Sequence, residues 1–186
     1  MSLEQQTPKK ESAGAPSNMD SNRRESGKHS DTKQYLTFML AEELYGIDIL
    51  KVQEIRGWSH ATQIPNAPKF IRGVLNLRGS VVPILDVRRR FTMPEVEFTA
   101  QTVVIVVNVA NRTIGMIVDS VSDVVDLPID ELRPAPDFGS SIDSSFIQGL
   151  SPNGDDMVIL INVEDMLKGC DLVKVDELEK MVADVE

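Results

Sequence analysis

The sequence predicts a mainly β protein built from two small modules of five strands each, and three observations carry that reading. Apolar and polar residues alternate with period two across most of residues 35–161, the signature of half-buried strands. Turn-forming residues punctuate these runs at short intervals, as small barrels require. The whole pattern then occurs twice. Gly46-Ile-Asp-Ile-Leu-Lys-Val-Gln-Glu-Ile55 is echoed by Gly115-Met-Ile-Val-Asp-Ser-Val-Ser-Asp-Val124, 69 residues later. Phe70-Ile-Arg-Gly-Val74 and Val81-Val-Pro-Ile-Leu-Asp-Val87 are echoed by Phe146-Ile-Gln-Gly-Leu150 and Met157-Val-Ile-Leu-Ile-Asn-Val163, each 76 residues later. The difference is one seven-residue insertion following Arg133. Two copies make a pair of similar modules, since a stacked solenoid needs at least three.

In chain order, the alternation places strands at Tyr35–Leu40 and Leu44–Asp48, joined by Ala41-Glu-Glu43. Val52–Trp58 follows a sharp bend, and the prolines of Ile64–Pro68 mark a loop. Gly73–Leu77 and Val81–Leu85 form a hairpin across Arg78-Gly79-Ser80, closed by a helical turn at Asp86–Phe91. The second copy repeats this plan. Thr102–Val109 and Thr113–Val118 flank Asn111-Arg112, and Val121–Leu127 comes next. Phe146–Leu150 and Met157–Ile161 flank Asn153-Gly154, a pair suited to the positive φ values of a type I′ turn. Val103–Val107 lacks alternation and is expected to be buried on both faces, between the modules. Val163–Lys168 repeats the closing helical turn. Leu172, Val175, Leu178, Val182 and Val185 recur at helical spacing, so residues 171–186 are expected to form an amphipathic helix.

Composition divides the chain into a polar tail at 1–33, a body at 34–170 and that final helix. The tail holds too little apolar surface to offset the entropy of ordering it. The body has a first module at about 34–100 and a second at about 101–170, with strand exchange between them left open. Residues 1–34 carry six basic against five acidic side chains, leaving thirteen against twenty-four in the rest. So acidic a body repels phosphate backbones and anionic lipid, which argues against nucleic-acid and membrane-surface partners. Nucleic-acid-binding barrels also use aromatic platforms, and only 5% of this chain is aromatic. No run approaches the roughly 20 apolar residues of a membrane span. The one cysteine, Cys170, excludes an internal disulfide and points to a reducing, cytoplasmic setting.

Catalytic chemistry is not visible. His29 lies in the tail and His60 in a loop, neither with a cysteine or histidine at metal-ligand spacing, so no metal or cofactor is expected. Gly73 and Gly79 bracket a hairpin and do not lead into a helix, which excludes a phosphate loop. Asp119, Asp123, Asp155 and Asp156 read as solvated carboxylates, and Arg88-Arg-Arg90 as a solvated helix face.

Subtracting one copy from the other isolates a candidate site. Asn76-Leu-Arg-Gly79 has no counterpart, because the second copy reads Pro152-Asn-Gly-Asp155. Arg78 sits at a hairpin tip, and Glu54 is its natural acidic partner. Alternation puts Val52, Glu54 and Arg56 on one face of their strand, as a binding surface and not as core. An exposed Arg78–Glu54 pair would stabilise the fold by at most about 1 kcal/mol. Breaking a buried one would cost about 3–5 kcal/mol.

These same residues carry a family resemblance. Tyr45-Gly-Ile-Asp-Ile-Leu-Lys-Val-Gln-Glu-Ile55, Pro68-Lys-Phe-Ile-Arg-Gly73, Asn76-Leu-Arg-Gly79, Val82-Pro-Ile-Leu-Asp86, Gly115-Met-Ile-Val-Asp119 and Arg133-Pro-Ala-Pro136 together resemble the CheW-like coupling proteins of bacterial chemotaxis. The match runs from about Gln34 to about Lys168. The resemblance implies two five-stranded β-barrels, similar to Src-homology-3 domains, that share an apolar core. It implies a non-enzymatic adaptor that links the histidine kinase CheA, through its regulatory domain, to the cytoplasmic tips of methyl-accepting chemoreceptors. Other CheW-like modules are further candidate partners, and the setting would be cytoplasmic, at membrane-associated receptor arrays. By position, it assigns Val52, Glu54, Gly73, Asn76, Arg78 and Gly79 to the receptor groove, with Arg78 and Glu54 as a salt bridge. With no room for an added kinase or receiver domain, the chain is expected to be a stand-alone coupling protein.

Overall fold

A computed structural model describes residues 31–136 and 144–168. Ten strands form two five-stranded sheets. In chain order they are β1 (Thr32–Leu40), β2 (Glu43–Asp48), β3 (Val52–Gly57), β4 (Ile71–Leu77), β5 (Ser80–Asp86), β6 (Val103–Val109), β7 (Arg112–Val118), β8 (Ser120–Pro128), β9 (Ile147–Asn153) and β10 (Asp156–Ile161). Short helices α1 (Val87–Arg90) and α2 (Val163–Leu167) follow β5 and β10. The tail before residue 31, the helix expected at 171–186 and Cys170 lie outside the described residues.

The first sheet runs β8-β1-β2-β10-β9 and the second β3-β6-β7-β5-β4. Neither sheet coincides with one sequence copy. Each takes the opening hairpin of one copy and the last three strands of the other. The two halves nevertheless match position for position. β2 pairs in parallel with β10 in one sheet, and β7 with β5 in the other. A bulge recurs between β1 and β8 and between β6 and β3. Single bridges, Thr62 to Val74 and Arg133 to Leu150, join the chain leaving β3 or β8 to the opposite edge strand of its own sheet. The repeated glycines sit where backbones approach. A Cβ on Gly73 would lie 2.1 Å from the Thr62 carbonyl oxygen, and one on Gly149 would lie 2.6 Å from that of Arg133. Asp86 and Asn162 cap α1 and α2 alike, accepting from the N–H groups of Arg89 and Asp165.

Apolar burial has three centres. One lies between the sheets and includes Phe38, Ile47, Leu85, Ile105, Met116 and Met166. A second belongs to the second sheet, around Val82, Ile84, Val104 and Val106. A third, around Tyr35, Leu127, Val158 and Leu160, belongs to the first. β6 explains its lack of alternation. Ile105 and Val107 point into the shared core while Val104 and Val106 point into the second sheet's own core. Both faces are therefore apolar.

Several local expectations need correction. β1 begins at Thr32, inside the stretch that composition gave to the tail, because Thr32, Lys33 and Gln34 pair with Pro128, Leu127 and Asp126. Backbone pairing holds them where apolar surface does not. The two-residue turns are Ala110-Asn111 and Gly154-Asp155, one residue displaced from expectation. Asn153 pairs with Asp156, and only Gly154 has positive φ there, so this turn is not type I′. Buried Val158 and Leu160 fix the β9–β10 register, and turn preference yields to it. Nor is Arg88–Arg90 a solvated face. Arg88 is bound by the Asp119 carboxylate at 2.5–2.7 Å. Arg89 donates to Lys69 O and Glu95, while Arg90 donates to Met166 O and lies over the Phe70 and Phe146 rings. The three arginines tie α1 to its surroundings, and Arg88 and Arg90 reach across to residues outside the second sheet's core.

Two ion pairs make stability fall in acid. Burial alone would raise the Asp48 carboxyl, but the Lys33 ammonium at 2.7 Å and the Leu50 N–H hold it below its ordinary value. Glu164 is likewise held low by Lys51 against its own desolvation. A depressed carboxylate contributes stability that is present above its ordinary pKa and lost as pH falls through the folded value. Urea midpoints should therefore drop as pH is lowered from about 5 to about 3, and Asp48→Asn should flatten that slope.

Candidate functional site

The β4–β5 hairpin builds the site's outer wall. Arg78 and Gly79 form its two-residue turn, with φ values of 54° and 89°. Both are positive, the pattern of a type I′ turn. The Asn76 side chain fixes this turn by accepting the Gly79 N–H at 2.8 Å. Arg78 is thereby held away from the sheet, at a backbone conformation that glycine would adopt more cheaply.

Its guanidinium reaches Glu54 on β3, with Nη2 2.8 Å from Oε2. β3 and β4 are the two edges of the second sheet, so this ion pair spans the mouth of the sheet like a clasp. The Arg78 side chain is 88% exposed and that of Glu54 29% exposed. So open a pair stabilises the fold by about 1 kcal/mol at most. The chain thus holds an arginine in a costly conformation for little stability, which is the pattern of a contact residue.

The other candidates are placed less uniformly. A bulge between Val52 and Glu54 breaks the expected alternation. Val52 pairs with Val107 and Ile55 with Ile105, both on the face of the shared core; Glu54 pairs with Val106 and Arg56 with Val104, on the other face. Val52 is therefore half-buried against the shared core and does not share a surface with Glu54 and Arg56. The cause is the bulge's extra residue, which shifts the period-two pattern by one. Gly73 lies well down β4 from the turn, beneath Thr62 at φ 140°. Glu54, Asn76, Arg78 and Gly79 are thus brought together, and Val52 and Gly73 are not part of that cluster.

Sequence reasoning missed Ile55 beside this cluster, although it had placed Arg56 on the same strand face as Glu54. Ile55 is 44% exposed on the shared-core face. Arg56 has a buried Nε without a hydrogen-bond partner. A large apolar residue flanked by charges in Glu54-Ile-Arg56 was the available signal. Among the described residues, no group of three histidine, cysteine, aspartate or glutamate side chains could hold a metal ion. Nor is any described helix long and apolar enough to cross a membrane. His60 is exposed in its loop, and Asp155 and Asp156 are exposed at their turn.

Comparisons with known proteins agree on one family. The model of the CheW-like domain matches residues 34–170. The chain is 45% identical over 148 residues to the chemotaxis protein CheW of Klebsiella aerogenes, covering 80% of this chain and 89% of that one. It is 35% identical over 134 residues to CheW of Rhizobium meliloti, covering 72% and 86%. The crystal structure of the scaffolding protein TtCheW from Thermoanaerobacter tengcongensis superposes with a TM-score of 0.69 at 33% identity, over 74% of this chain and 94% of that one. The chain belongs to the CheW-like family, the non-catalytic scaffold proteins of chemotaxis.

Proposed function

We propose that this protein couples the cytoplasmic tips of chemoreceptors to the histidine kinase CheA, in the cytoplasm beneath the receptor arrays. The observation that carries this reading is the Arg78–Glu54 clasp: an exposed ion pair, held by a strained turn, that contributes little to stability. Asn76 and Gly79 flank it, with Ile55 next to Glu54 on the shared-core face. Guanidinium suits such a post, because its flat fork holds one carboxylate and keeps donors for a second acceptor. Receptor tips are helical hairpins, so the contact is a helix lying against a groove. The regulatory domain of CheA shares this fold, and its contact with the body is module to module. Several weak contacts linked in one array then reinforce each other through effective concentration.

The test is co-sedimentation of the protein with receptor fragments and CheA, with kinase activation as the readout. Arg78→Ala and Glu54→Lys should each lose receptor-dependent activation by tenfold or more, about 1.4 kcal/mol of coupling. Their unfolding midpoints should stay near wild type. The exchanged pair, Arg78→Glu with Glu54→Arg, should recover part of the activation. A double variant no better than the worse single one would show that the clasp is not the coupling element.

A further inference from the structure

The internal symmetry gives the clasp a counterpart, and there the clasp is missing. Glu54 corresponds to Asp123, and Arg78 to Gly154. With no arginine on the β9–β10 turn, the mouth of the first sheet stays open as a cleft of about 410 Å³. Its charge is also inverted. Glu42, Glu43, Asp123 and Asp156 line it, and none of them has an ion-pair partner among the described residues. The equivalent positions of the second sheet are Asn111, Arg112, Glu54 and Ser80. Between the carboxylates lie Met39, Leu44, Val125 and Met157, the last 44% exposed. Arg56 occupies the position of Val125 in the other half.

A mouth with an apolar floor, an acidic rim and a carboxylate where its twin holds an arginine is shaped for an arginine side chain. The stem packs on the methionines and the guanidinium meets Asp123. We infer that Arg23 and Arg24, in the segment preceding β1, dock in this cleft and supply the missing clasp in cis. Reach and charge single out that segment. β1 begins at Thr32, and Met39 lies seven residues along it, about 23 Å away. Arg24 lies eight residues before Thr32, so an extended chain folding back covers about 27 Å. Residues 1–30 carry five basic side chains, with Arg23 and Arg24 adjacent. The last residues, 171–186, carry six acidic side chains against two basic ones and would be repelled. Tethering so close to the cleft raises the segment's effective concentration to the millimolar range, ahead of any second copy. The arginine of another copy's hairpin is already engaged by its own Glu54.

The test uses the full chain with Cys170→Ser and a spin label at Ser21→Cys. The methyl resonances of Met39 and Met157 should be broadened by the label at low salt. Arg23→Glu with Arg24→Glu, a change outside the folded body, should remove most of that broadening, as should 0.5 M salt, where the Debye length falls to about 4–5 Å. Unbroadened methyls in the parent protein overturn the inference. Broadening that survives the double charge reversal overturns the role of the arginines. Broadening that grows with protein concentration assigns the cleft to a second copy and overturns docking in cis. Neither receptor nor kinase enters this experiment, so it stands or falls apart from the coupling function.

Discussion

Gly73→Ala should lower the unfolding free energy by about 3 kcal/mol or more, the largest effect expected of any single methyl group in this protein. The added Cβ would lie 2.1 Å from the Thr62 carbonyl oxygen and 2.7 Å from its carbon, at a φ of 140° that side chains rarely adopt. Nothing there can yield cheaply, because the neighbour is backbone. Thr62 and Val74 exchange both of their N–H···O bonds, at 2.8 and 2.9 Å. Relieving the clash means breaking the backbone bridge that ties the chain leaving β3 to β4. Gly79→Ala makes the control. Its φ is 89°, but a Cβ would meet no atom within 4 Å, so only the conformational cost of about 1–2 kcal/mol applies. Urea unfolding of the two variants separates steric clash from strain. Equal losses would show that conformation, not the Thr62 contact, is what Gly73 supplies.

Asp119→Ala should cost nearly as much, about 3 kcal/mol at the lower end for a broken buried ion pair because Asp119 is partly solvated. One carboxylate serves three donors. Arg88 binds through Nε at 2.7 Å and Nη2 at 2.5 Å, and the Ala41 N–H at 2.8 Å. Arg88 is only 13% exposed, so its charge would be left with little water. The link matters because it crosses between sheets: Arg88 follows β5 of the second, while Ala41 turns β1 into β2 of the first. Arg88→Met with Asp119→Asn should lose less than the two single changes together, since neither charge is then orphaned. Additive losses by chemical denaturation would mean that the two side chains act independently.

The fold was legible because it is written twice. Strand positions, the glycine punctuation and the helical turns after Asp86 and Asn162 all follow from a pattern that the copies confirm for each other. What could not be read is which hairpin joins which sheet. Strand exchange leaves every local periodicity unchanged, because β1 and β2 present the same faces in either arrangement. The bulge at Gln53 was hidden for a related reason. Val52 to Ile55 reads as simple alternation, and only the register against β6 shows that Val52 turns to the shared core. The arginines of α1 were misread because charge suggests water, whereas Asp119 lies 31 residues away in sequence from the group it neutralises. Subtraction of the copies did locate Arg78 opposite Glu54. Applied in reverse, to residues where the second copy lacks the first copy's arginine, it would also have marked Asp123.

The exchanged hairpins impose an order on biosynthesis. The second sheet is drawn from one continuous stretch, Val52 to Val118, and can assemble as soon as that stretch has left the ribosome. β1 and β2 emerge before it, yet their partners β8 and β10 end only at Pro128 and Ile161. The first hairpin to be made is therefore the last to be flanked on both sides. Its β2 edge stays open to other nascent chains while more than a hundred further residues are translated.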